Sequence, residues 1–137
     1  MKLILTPLVK AVASLDEVLK EKTAQPKNVF LLDAAIQRFE YTYELGCKML
    51  KRYLEMYGTS GSVDKMSLPE LIRTGYEQGL LNSSWDRWHT FRDARNITSH
   101  TYDLKKANQV FAIIPSFYEE VCFLLNRLQQ YVSTAQN

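Results

Sequence analysis

The 137-residue chain has two cysteines, two histidines and no long apolar run, and each scarcity removes a class of protein. Cys47 and Cys122 are too few for a disulfide framework and lack metal-ligand spacing. Both fall at apolar positions of helical patterns, so they read as buried thiols of a reducing compartment. No segment approaches the roughly 20 apolar residues that span a bilayer. The N-terminal MKLILTPLVKAVASLDEVLKEK turns to charge at helical spacing and lacks the small-residue cleavage site of a signal peptide. A cytoplasmic protein without membrane contact is the expectation. P-loop, dinucleotide fingerprint, GxSxG and paired cysteines are all missing, and a serine triad around Ser99 would lack an oriented third member. No cofactor and no metal site is expected. The net charge of +2 neither demands nor forbids an anionic partner, so placement of charge must decide.

What is present is ordinary for a globular chain: 46% apolar and 23% charged residues, at a length that buries roughly two-thirds of the unfolded surface. Residues 1–137 read as a single domain with helical periodicity almost throughout and no convincing strand. Leu5, Leu8, Val9, Val12, Leu15 and Leu19 mark a first helix, with Thr6-Pro7 as cap and first-turn proline. After Pro26 a long helix carries Val29, Leu32, Ile36, Phe39, Tyr43, Cys47, Leu50, Leu54 and Tyr57. GTSGS (58–62) is the clearest flexible loop. Ser67-Leu68-Pro69-Glu70 is a capping box for a short third helix that Gly79 stops. Asn82-Ser83-Ser84 offers caps for a fourth helix starting near Trp85. The last helix runs through Val110, Ile114, Phe117, Val121, Leu124, Leu128 and Val132, with Pro115 inside it as an expected kink. These segments predict an all-α fold, an up-and-down four-helix bundle with an extra short helix.

The fourth helix holds the chemistry. Trp88 and Phe91 share its apolar side, and Arg95 falls within the same arc, where a guanidinium must find a partner or reach water. Glu40 and Glu44 of the second helix are the candidate partners. Phe39 and Tyr43 are expected in the core and Glu44 near Arg95. Alongside runs a polar strip of His89, Arg92, Asn96 and His100. Arg95 and His100 lie about 140° apart on a regular helix, so they meet only if the helix ends between them or if each meets the copy from a second subunit. A histidine that moves a proton and an arginine whose fork matches phosphate oxygens suit metal-free cleavage of RNA, where the 2′-hydroxyl is the nucleophile. A solvated polar face ending in a cap, with Asn96 or Ser99 bonding the last carbonyls, is the plainer alternative.

RNITSHTY (95–102) matches the Arg-x4-His-x-Tyr signature of the HEPN superfamily. IQRFEYTYEL and KMLKRYLE, within 36–55, resemble the long second helix of its nucleotidyltransferase substrate-binding-protein-like family. The resemblance covers nearly the whole chain. It implies a dimer in which Arg95 and His100 of both subunits line a shared cleft, with a minimal nucleotidyltransferase as partner in a toxin–antitoxin module or a split enzyme. It also implies that Arg95 holds a phosphate, His100 moves the proton and Asn96 fixes the histidine or the RNA. His89, Arg92 and Ser99 are further candidates for nucleotide or RNA contact, and Tyr102 resembles the tyrosine that receives AMP. One departure is ELGCK (44–48), where alanine and tryptophan are expected; Gly46-Cys47 loosens packing there. Three functions stand open: a subunit serving a separate nucleotidyltransferase, a ribonuclease in its own right, and a non-catalytic nucleotide-binding dimer.

Overall fold

The computed structural model describes residues 2–58 and 62–136. Among them lie five α-helices and no strand: α1 (Thr6–Ala24), α2 (Val29–Tyr53), α3 (Leu68–Glu77), α4 (Trp85–Ile97) and α5 (Leu104–Gln136). A wider turn, Leu54–Gly58, extends α2, and short 3-10 turns occupy Val63–Lys65 and Thr98–His100. The all-helical bundle is therefore as the periodicity predicts. Of the loop read at 58–62, residues 59–61 lie outside the described residues.

Direction follows from pairing. Ser14 of α1 meets Tyr41 of α2, and Arg38 reaches back to the Ser14 carbonyl at 2.7 Å, so the two helices run antiparallel. Tyr118 of α5 donates to Asp16 of α1 at 3.0 Å. Helices α2 and α5 run the same way, and α1 and α4 run against them. One end of the bundle therefore gathers the end of α1, the starts of α2 and α5, and the turn that follows α4.

Capping explains most boundaries. The Asn28 side chain accepts from the Phe30 and Leu31 amides and starts α2, a role that the sequence pattern alone did not reveal. Ser67 accepts from the Glu70 amide, the first half of the expected capping box, while the Glu70 carboxylate takes the Ser67 hydroxyl. Gly79 stops α3 with φ +78, where a Cβ would also meet the Tyr131 hydroxyl at 3.1 Å. Thr6 caps nothing. Leu5 holds the cap position without a side-chain bond, and Pro7 in the first turn has no N–H to be served. Pro115 sits inside α5 without ending it.

The core centres on Phe117 of α5. Its ring stands edge-on to Phe39 at 5.0 Å, Phe91 at 5.5 Å and Trp88 at 6.3 Å, a geometry that ring quadrupoles favour. Phe39 and Tyr43 are buried as expected. Val29 and Tyr57 are exposed instead, because α2 extends beyond its neighbours' packing at both ends. The cysteines are half-buried rather than fully enclosed, since each lies at the flank of its helix's core stripe. Burial still pushes the Cys47 thiol up to about 12, away from thiolate.

Glu120, one turn beyond Phe117, is the one charged side chain fully buried among the described residues. Its Oε2 accepts from the Asn82 amide at 2.9 Å, the Ser83 amide at 3.2 Å and the Trp88 indole at 3.3 Å. This carboxylate ties down the loop just before α4, while Ser84 occupies the expected cap position with no side-chain bond.

The packing sets the expected response to two substitutions. A Cβ at Gly46 would sit 3.5 Å from Val121 and 3.7 Å from Leu124, ordinary contacts, so Gly46→Ala should stabilise the protein by about 1 kcal/mol. Glu120→Ala leaves the buried Trp88 indole and the part-buried Asn82 and Ser83 amides without their acceptor and should cost about 2 kcal/mol. Urea unfolding reads both, and a Glu120→Ala midpoint equal to wild type would show the clamp to be dispensable.

Candidate functional site

Burial of Trp88, Phe91 and Ala94 anchors α4 by one face and turns the chemically active residues toward its rim. Arg95 is next in line and half-buried. Its Nε donates to Glu44 Oε1 at 3.2 Å and its Nη2 bonds the same oxygen, while Glu40 Oε1 lies 3.8 Å from Nη2. The expected approach of Glu44 to Arg95 is present. The Glu44 hydrogen bond, followed by the charges of Glu40 and Glu44, raises the arginine further above its already high pKa. Arg38 and Tyr41, the neighbouring polar residues of α2, face α1 through Ser14 and Glu17.

The regular helix stops at Ile97, between the two motif residues. Thr98 makes this break, its hydroxyl donating to the Arg95 carbonyl at 2.7 Å while Arg95 Nη1 reaches Thr98 Oγ1 at 3.5 Å. Thr101 then bonds the Thr98 carbonyl at 3.1 Å, and Asp103 Oδ1 accepts from the Lys105 amide at 2.9 Å to start α5. Thr98 was not singled out from sequence, although a threonine between Arg95 and His100 is a natural back-bonding residue.

The turn presents its side chains outward. His100, Ser99 and Asn96 are exposed. Tyr102 is 87% exposed, its ring edge-on to His100 at 6.3 Å. Tyr102 therefore does not pack on Trp88 or Phe91. Among the described residues no hydrogen bond joins Asn96, His100 and Arg95 to one another. His89 and Arg92 turn aside: His89 Nδ1 lies 3.6 Å from Asp93, and Arg92 bonds Asp93 at 3.2 Å while lying over the Trp85 ring at 5.2 Å. The structure thus sets His100 and Tyr102 side by side on the turn after α4, holds Arg95 in the last turn of α4 against α2, leaves Asn96 and Ser99 exposed, and pairs His89 and Arg92 with Asp93 farther up α4. Among the described residues no group of three metal-ligating side chains is found.

The helical bundle carries its Arg-x4-His-x-Tyr motif at one end, across the end of α4 and the turn that follows it. Residues 3–130 match the family described as nucleotidyltransferase substrate binding protein like, and the chain belongs to that family. A relative from Haemophilus influenzae named probable ribonuclease HepT is 41% identical over 101 residues, covering 73% of this chain and 68% of its own. A solved structure from Haemophilus influenzae, described as revealing the fold of a substrate binding domain of a nucleotidyltransferase, superposes with TM-score 0.84 at 34% identity. That match covers 92% of this chain and 99% of the other.

The Arg95–Glu44 pair is partly exposed, with 30% and 54% of the two side chains accessible, so it contributes only about 0–1 kcal/mol. Glu44→Gln should therefore leave stability nearly unchanged while freeing the guanidinium for phosphate oxygens. Calorimetry with pyrophosphate is expected to show tighter binding than wild type. Weaker binding would mean that Glu44 aims Arg95 rather than occupying it.

Proposed function

We propose that this chain is the helical, substrate-binding subunit of a pair completed by a separate minimal nucleotidyltransferase, and that it binds RNA or a nucleotide through Arg95, His100 and Tyr102. The observation that supports this most is the shared turn. An exposed imidazole and an exposed phenol stand side by side beyond the end of α4, whose Arg95 guanidinium is held by two partly exposed carboxylates and a long bond to Thr98. Phosphate oxygens can replace those carboxylates at little cost, because the same fork geometry serves both. Asn96 and Ser99 add polar contacts at the edge, and His89 and Arg92 can meet a ligand that extends along α4.

A second reading, favoured by the name of the Haemophilus relative and by the unengaged His100, makes the chain a metal-independent endoribonuclease. His100 would take the proton from a 2′-hydroxyl, whose oxygen attacks the adjacent phosphorus as the bond to the 5′-oxygen breaks. The products are a 2′,3′-cyclic phosphate and a 5′-hydroxyl end. Arg95 would stabilise the charge that builds on the phosphoryl oxygens. Since no hydrogen bond joins Arg95 to His100 within one chain, a homodimer that pairs two such turns belongs to this reading. So does silencing by transfer of AMP to the exposed Tyr102 hydroxyl in a cytoplasmic toxin–antitoxin pair.

Incubating the purified protein with mixed RNA in EDTA, beside Arg95→Ala and His100→Ala, separates these readings. Intact mass must first exclude a pre-existing AMP adduct. Cleavage reduced by at least about a hundredfold in both variants establishes the nuclease. RNA or nucleotide binding without cleavage, weakened by Arg95→Ala, leaves the substrate-binding subunit. Absence of both overturns the site.

A further inference from the structure

Eight large hydrophobic residues are exposed among the described residues, and four of them, Val29, Phe30, Tyr102 and Leu104, cluster at the end of the bundle that carries the motif turn. Phe30 is 80% exposed and Val29 54%, both in the first turn of α2; Leu104 is 58% exposed at the start of α5, two residues after Tyr102. Scattered singly such residues need no explanation, but these four share one end of the bundle. Val29 and Leu104 line one hollow of about 250 Å³ together with Lys22, Lys27, Asn28 and Asn108.

Charge at this end leans positive, with four lysines against Glu21, Asp33 and Asp103. Lys22 lies over the Phe111 ring and bonds the Pro26 carbonyl, which fixes its ammonium at the rim of the hollow. Lys27 is exposed beside it, and Lys105 and Lys106 are exposed in the first turn of α5. That first turn holds no acidic residue, although the helix dipole disfavours cations there. Of the nearby carboxylates, Asp103 is occupied by the Lys105 and Lys106 amides, and Asp33 stands exposed on α2. Exposed rings interleaved with lysines are what a single strand needs: a face on which bases stack and cations that follow its phosphates.

We propose that Phe30, Val29 and Leu104, with Lys22, Lys27, Lys105 and Lys106, form a single-stranded RNA platform continuous with the Arg95–His100–Tyr102 turn. The inference rests on the RNA reading of that turn and narrows it. A mononucleotide filling the turn would leave the platform bare, whereas a strand of several nucleotides covers both, entering or leaving past Tyr102.

The test is fluorescence anisotropy with a 2′-O-methyl 12-mer, which cannot be cleaved because the attacking hydroxyl is blocked, on full-length wild type, Phe30→Ala, Lys105→Gln/Lys106→Gln and Arg95→Ala. The platform residues are exposed, so circular dichroism should match wild type. Phe30→Ala is expected to weaken the 12-mer about tenfold. The lysine variant should reduce the slope of log affinity against log salt by about 0.7 for each phosphate it no longer neutralises. AMP affinity should be unchanged in both. Weakened binding in the platform variants but not in Arg95→Ala would keep the platform and refute the turn as RNA site. Weakened binding in Arg95→Ala alone would keep the turn, overturn the platform and leave the patch to a protein partner. A wild type that does not bind the 12-mer overturns both.

Discussion

A single buried carboxylate holds the working helix in register. Glu120 costs the protein the desolvation of a charged group, and it offsets that cost by gathering three donors from the start of α4. Two are the part-buried Asn82 and Ser83 amides just before α4, and the third is the buried Trp88 indole. One turn away the Phe117 ring is enclosed by Phe39, Trp88 and Phe91. Polar clamp and aromatic cluster together leave α4 one position along α5, and from that position everything at its far end follows. Arg95 falls opposite Glu40 and Glu44, and the break at Thr98 swings His100 and Tyr102 to the surface.

Much of this was legible in the residues. Three- and four-residue spacing of apolar side chains marked the three long helices, because a helix buried on one side must repeat that way. The Ser67–Glu70 box and Gly79 marked α3 because their chemistry acts within a few residues. The Arg95–Glu44 approach was readable too, since a guanidinium on an apolar arc has to be met by something. Where sequence reasoning failed, the cause lay farther away in the chain. Ser84 looks like a cap, but the amides before it are served by a glutamate whose partner Ser83 lies 37 residues back. Glu120 itself interrupts the apolar stripe of Phe117, Val121 and Leu124, a sign that the sequence carries in plain view. Val29 and Tyr57 keep the right spacing yet are exposed, since periodicity says which face is apolar and not how far the neighbouring helices reach.

The site has the same two layers. Its motif is local and was readable; its geometry depends on contacts made by other helices. Residues spaced five apart cannot share a face of a regular helix, and the molecule resolves this by ending α4 through the Thr98 back-bond rather than by bringing Arg95 and His100 into contact. The result is an open turn whose cation is satisfied by exchangeable carboxylates of α2. Such an arrangement suits a surface that awaits a phosphate-bearing ligand or a second subunit. It fits a family described by substrate binding to a nucleotidyltransferase and a relative named for ribonuclease activity.

The exchange of Glu44 for phosphate at Arg95 is the step on which the functional reading turns, and nuclear magnetic resonance can watch it directly. With isotope-labelled protein and an uncleavable RNA, the Arg95 Nε–H and His100 imidazole resonances should shift together as the strand is added. RNA that binds while both resonances stay in place would contradict the account, because the ligand would then be held elsewhere on the bundle.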